Sequence, residues 1–314
     1  MNRYIIYSLL FFFIISSCKK ETSINIIADN DAPGYDRYED SITYGGIPTI
    51  LLENYVNRIY IDLLGREPFD AEMQRDVQYL RSNYIGMPYR DTLLMKLQYD
   101  TAFIEGNTSY KHAYYLWLYE SIKIRLIEGV SDGYVSYQAG IVYAAYVVDS
   151  VNGNMIEANK KLLMYNNLQD IIGSKMGYFH DSISINEIHR RMSFNPIYDE
   201  INMNTFNFIN AIFDNLFYRY PTQYEFDECY KMIDDNSTQL LLGSSGNSKY
   251  DMTVIMCNSQ EFYEGLINWT YIMLLGRQAN PVERNNLMLD FIVDNDYQKI
   301  QRNIMQTDEY AHFN

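Results

Sequence analysis

The sequence predicts an all-α protein in which helical hairpin repeats pack into one elongated or two-lobed helical body. Two observations carry this expectation. Apolar residues recur at the spacing of one helix face, as Ile59, Leu63 and Leu64 do. A helix-turn-helix string also recurs: Leu63-Leu64-Gly65-Arg66 with Glu72, then Leu274-Leu275-Gly276-Arg277 with Glu283, Glu following Arg by six residues in both. A looser copy keeps that interval at Arg219 and Glu225, with Tyr218 where the Gly would stand. The expected organisation is a signal over 1–17, a flexible tether over 18–45, an N-terminal helical region over 46–195 holding the first copy, and a C-terminal region over 196–314 holding the other two.

The chain starts with Arg3 ahead of an apolar stretch from Tyr4 to Ile15, then Ser16-Ser17-Cys18. The stretch suits the core of an export signal and falls short of the ~20 residues that span a bilayer. Small residues followed at once by Cys resemble the lipobox of bacterial lipoproteins. That resemblance implies cleavage before Cys18, a diacylglycerol on its thiol and an acyl group on the new amine. Several chains at ~0.8 kcal/mol per buried methylene hold such an anchor in a membrane. Lys19-Lys20-Glu21 partly resembles the signal that sends some lipoproteins to the cell surface, leaving the surface and periplasmic faces both open. Residues 22–45 are polar, acidic and turn-rich, which suits the tether.

A net charge of −15 argues against nucleic acid and against a basic membrane patch. Beyond the leader no apolar run reaches membrane-spanning length. The best candidate, Ala139 to Val148, reads as a buried helix. Tyr is abundant, with 31 residues. Such a chain either presents aromatic recognition surface or uses Tyr as an amphipathic core and rim residue, the second being favoured. With Cys18 assigned to lipid, Cys229 and Cys257 remain, a disulfide or, preferably, two small core residues.

Each copy of the repeat has a physical logic. Gly65 suits a helix C-terminus, where the left-handed conformation strains Gly least. Arg66 then lies by the carbonyl end of one helix, and Glu72 in the first turn of the next, each charge where the helix dipole favours it. An Arg–Glu bridge across the turn follows for all three copies. Near them stand Ser259-Gln260-Glu261-Phe262, Thr307-Asp308-Glu309-Tyr310 and the looser Asp100-Thr101-Ala102-Phe103. These strings read as places where one unit stops and the next helix starts. Together the motifs resemble a helical repeat domain of unknown function common in bacterial secreted and surface proteins, itself similar to phycobilisome linker domains. The resemblance covers roughly half of the chain beyond the leader. It implies an all-α fold and an assembly or binding role, with no reaction and no catalytic residue.

Between the copies, Tyr110 to Ile127 reads as a strong helix, Gly129 to Gly133 and Val151 to Asn154 as turns, and Glu157 to Leu168 as a polar-faced helix. Asn195-Pro196 to Asn204 interrupts the helical pattern and reads as a non-helical connector. Chemistry is sparse. His180, Glu187 and His189 are the one crowded spot for a metal, and they lack the spacing of a metal site. Gly243-Ser244-Ser245-Gly246 lacks the Lys of a phosphate loop and reads as a flexible loop with nothing strand-like beside it. Asp227-Glu228 and Asp234-Asp235 are carboxylate pairs with no role that spacing assigns. No cofactor is expected.

Two functions stay open. The favoured one is a non-enzymatic envelope lipoprotein, held in the outer membrane by its lipid, that binds or assembles with a protein partner. It implies an exposed apolar patch. The alternative is an envelope hydrolase acting on glycan through two carboxylates in a deep pocket.

Overall fold

Apolar helix faces need cover, and here fifteen helices among the described residues supply it to one another. The computed structural model describes residues 46–102 and 108–313. Cys18, the signal and the tether lie outside them. From the N-terminal side come α1 (Thr49–Leu64), α2 (Asp70–Ser82), α3 (Met87–Tyr99) and α4 (Tyr110–Ile127). Next are α5 (Asp132–Val151), α6 (Met155–Phe179), α7 (Ile185–Ser193) and α8 (Pro196–Asn202). The chain continues through α9 (Thr205–Phe217), α10 (Gln223–Asp234), the strands β1 (Gln239–Leu241) and β2 (Ser244–Gly246), and α11 (Lys249–Cys257). It closes with α12 (Gln260–Leu275), α13 (Pro281–Asp294), α14 (Tyr297–Met305) and α15 (Asp308–Ala311). The fold is all-α.

The three repeat copies are the hairpins α1–α2, α9–α10 and α12–α13. Helices from both sides of residue 196 share one core: α14 lies on α3, α15 on α1, and α4 against both α7 and α8. A buried amide network ties these distant segments. Gln98 donates to the Gln298 carbonyl (3.2 Å) and accepts from Arg302 (2.7 Å), while Tyr114 donates to Gln301 (2.6 Å). The described residues all fall in one compact unit.

Local chemistry explains where several elements depart from expectation. The segment from Asn195 is helical, not a non-helical connector. The Asn195 side chain accepts from the N–H groups of Ile197 and Tyr198, and Pro196 takes the first helical position, where its missing N–H costs nothing. The helix expected over Glu157–Leu168 runs from Met155 to Phe179, because its second half continues an apolar face through Leu168, Ile171 and Tyr178. Asp132 opens α5, so Gly133 lies inside a helix and the turn ends earlier, at left-handed Gly129. The Gly243–Gly246 loop is half of a hairpin with Leu241 opposite Ser244. Leu242 and Gly243 form its two-residue turn, both with positive φ (48° and 82°), the geometry that matches strand twist. Cys229 and Cys257 are free and buried among apolar neighbours, and burial pushes both thiols up to about 12.

One contact governs how the second and third copies meet. Where α12 crosses α9, a Cβ on Gly265 would stand 1.9 Å from the Leu216 carbonyl oxygen. Only a residue without a side chain allows that approach. Gly265→Ala is expected to destabilise the protein by ~1–3 kcal/mol, the range for overpacking. Gly173→Ala, in α6 with no neighbour within 4 Å of its Cβ, should stabilise by ~0.5–1 kcal/mol through helix propensity. Chemical denaturation followed by circular dichroism reads both. Equal effects would show that the α9–α12 crossing is not as close as described.

Candidate interaction surface

The sequence-derived turn residues come together in the same geometry three times. Gly65 and Gly276 each end a helix, both with φ 68°, and Tyr218 takes the same left-handed place with φ 60°. The next residue is the Arg, and its guanidinium grips the Glu through two hydrogen bonds. Arg66 donates to Glu72 at 2.7 and 2.8 Å, Arg219 to Glu225 at 2.6 and 2.8 Å, and Arg277 to Glu283 at 2.7 and 2.9 Å. Each Glu also accepts the backbone N–H at the start of its helix, from Phe69, Thr222 or Asn280, at 2.8 Å in every copy. One carboxylate thus caps the second helix and holds the Arg that follows the residue closing the first.

Two further partners were written in the sequence without standing out there. An aromatic residue six positions before each Arg, Tyr60, Phe213 or Tyr271, lies under the guanidinium at 5.4, 5.1 and 5.1 Å. The Ser/Thr-x-Glu-aromatic strings supply a second carboxylate: Glu261 clasps Arg219, and Glu309 clasps Arg277 at 2.6 and 2.7 Å. They do open helices, as Ser259 and Thr307 cap α12 and α15. In the first copy Ala102 stands where that Glu would be, and the Tyr110 hydroxyl donates to Glu72 instead (2.7 Å). Burial acts against ionisation of Glu72 and Glu225, but hydrogen bonds from Arg and backbone outweigh it and hold both below the usual carboxylate range. For Glu283 the Arg277 hydrogen bonds are the largest influence, with the same result.

The other candidates stay apart or engaged. His189 is buried, donating from Nδ1 to the Ile185 carbonyl (2.8 Å), while Glu187 binds Arg190 and Arg191 and His180 packs on Phe179. Burial lowers the His189 pKa to about 4. Among the described residues no three His, Cys, Asp or Glu converge as metal ligands. Glu228 pairs with Lys231, and Asp234 accepts from Thr205. A cleft of about 100 Å³ between α1, α4, α12 and α14 is lined by both Trp117 and Trp269. Its one carboxylate, Asp62, already accepts from Tyr310 (2.7 Å).

A long apolar surface is left exposed on α5. Ala139–Val148, expected to be buried, is mostly exposed: of all α5, only Val135 and Ala139 are fully buried. Tyr137 is 64% exposed, Val148 59% and Val151 81%. Among the described residues α6 is the one helix that packs extensively on α5. The two form an antiparallel hairpin whose base, in the second half of α6, is rooted against α4, α7 and α8. The charged residues of α5, Asp132 and Asp149, are neutralised within the hairpin's surroundings by Lys123 (2.8 Å) and Lys161. α5 is thus a helix about 30 Å long, apolar nearly all round and covered on one side. No protein-family model, no curated protein and no solved structure matches this chain.

The turns yield two measurable expectations. Arg66→Ala should cost ~2 kcal/mol because Glu72 is nearly buried. Arg277→Ala should cost ~1 kcal/mol, its partners being more exposed and screened. Denaturation at high and low salt should show the second loss, and not the first, shrinking with salt. The pH profile has two parts. His189 has a folded pKa below its unfolded value of about 6.5, so its contribution is complete above pH 6.5 and is lost toward pH 4, up to ~3 kcal/mol. The depressed Glu72, Glu225 and Glu283 contribute fully above the ordinary carboxylate pKa and lose it as pH falls through their lowered folded values. Denaturation midpoints at pH 7 and pH 4.5 should differ less in His189→Gln than in the wild type. An unchanged difference would remove His189 from the profile.

Proposed function

We propose that this chain is a non-enzymatic lipoprotein of the cell envelope, anchored at Cys18 in the outer membrane, whose α5–α6 hairpin docks a protein partner. The observation that carries the docking role is the length of apolar surface on α5 between Asp132 and Asp149. The anchoring role is supported by the lipobox-like Ser16-Ser17-Cys18 following an apolar stretch. The likeness of the repeats to linker-type helical domains supports assembly over catalysis. The Arg-centred turns supply a stiff body from which the hairpin is presented.

Two experiments test the two halves. A fatty-acid analogue fed to producing cells should label the wild type, and Cys18→Ala should abolish the label and release the chain from the membrane fraction. An unlabelled wild type overturns the anchor. A benzophenone amino acid placed at Tyr137 in the full chain, in its native membrane, should form a protein adduct on illumination. Ile141→Glu with Val148→Glu should eliminate that adduct while leaving the helical signal intact, since both positions are exposed. No protein adduct from position 137 overturns the docking role.

A further inference from the structure

We infer that the partner of α5 is a second copy of this chain, docked antiparallel along α5 about a two-fold axis. This rests on the docking role of the hairpin and names its occupant. Tyr134, Tyr137, Ile141, Ala144, Val148 and Val151 are all exposed. They are separated by 3, 4, 3, 4 and 3 residues, the alternation that lines up a helix–helix seam. The intramolecular seam is a separate one. Val135, Ala139 and Val142, spaced 4 and 3 apart, are the α5 positions buried or packed in the core. So α5 carries two seams, and one lacks a helix.

Side-chain size selects the occupant. The free seam is bulky at its N-terminal end and small at its C-terminal end. Its midpoint lies between Ile141 and Ala144. Antiparallel docking of a second copy therefore sets Tyr134 opposite Val151, Tyr137 opposite Val148 and Ile141 opposite Ala144. Each layer then pairs a larger side chain with a smaller one, which is how facing helices interdigitate without voids. Parallel docking would set Tyr on Tyr at one end and Ala on Ala near the middle. The antiparallel arrangement is self-complementary, so it closes as a symmetric dimer.

Charge and area agree with this choice. Two chains of net charge −15 repel each other, and the seam is a strip where no acidic side chain faces outward. Taking roughly 200 Å² for a fully exposed large apolar side chain, the seam presents on the order of 600 Å², with Tyr137 64% and Val151 81% exposed. That is the area of a small interface, a standard one burying ~800 Å² per partner. A helix that lies on a lipid surface carries Lys and Arg along its polar face, and α5 has neither.

The test uses the full chain in its own membrane. One version carries Tyr137→Cys, the other Val148→Cys, and both are made in the same cells. The remaining body cysteines, Cys229 and Cys257, are buried and do not compete. Mild oxidation should give a disulfide-linked dimer at least about ten-fold more abundant than with either version alone, because residues 11 apart lie ~16 Å apart along a helix. Strong self-linking of Tyr137→Cys alone overturns the antiparallel arrangement, and no linked dimer in any combination overturns self-association. The benzophenone at position 137 separates the failures. An adduct to a different protein overturns the second copy and leaves the docking role standing. An adduct to lipid, or none, overturns both.

Discussion

Each repeat depends on one arginine held between an aromatic ring and a carboxylate. The demand it meets is elementary. A helix that ends must satisfy its last carbonyls, and a helix that begins must satisfy its first N–H groups. In α1–α2, α9–α10 and α12–α13 a left-handed residue ends the first helix, and the Arg that follows also donates to the next carbonyl, of Glu67, Tyr220 or Gln278. The Glu it grips caps the second helix. Two helix ends and one turn are thereby fixed by a few neighbouring side chains. The second carboxylates, Glu261 on α12 and Glu309 on α15, extend the same grip past the intervening helix to a later one, so separate elements are keyed to one another.

The first copy meets this demand differently and more deeply. With Ala102 in place of a second Glu, Tyr110 reaches Glu72, and Tyr60 donates to buried Asp76 (2.6 Å), which Arg75 and Lys96 also contact. These groups couple α1, α2, α3 and α4 into one polar cluster under the apolar core. Buried groups of this kind are expensive unless every member has a partner, and here the partners come from four helices. The body is correspondingly over-determined. Against it, α5 is secured along one side only, and the proposed docking role rests on that partly covered apolar helix.

Much of this was legible in the sequence where the physics is local. The Arg-to-Glu interval of six residues spans one turn, so its meaning survives without knowledge of the rest of the fold. The aromatic six residues before each Arg was equally visible, yet helix periodicity alone gives it no special status, and its role emerges once the guanidinium is placed. Asn195-Pro196 is ambiguous in the sequence, because an N-cap followed by Pro both interrupts one helix pattern and starts another. The Leu242-Gly243 turn leaves little sequence signal, because Leu at positive φ is uncommon and three-residue strands leave almost no alternation to read.

The sequence by itself determined the class of the fold, the three turns and the residues that close them, since these follow from helix spacing, capping and charge at helix ends. Only the tertiary structure decided which apolar surfaces cover one another. Ala139–Val148 shows why. Its composition states that the surface excludes water, but not which surface supplies the cover, because hydrophobic attraction has no direction and no address. In this chain α6 covers one side of that helix, the core takes Val135 and Ala139, and the other side is left facing out.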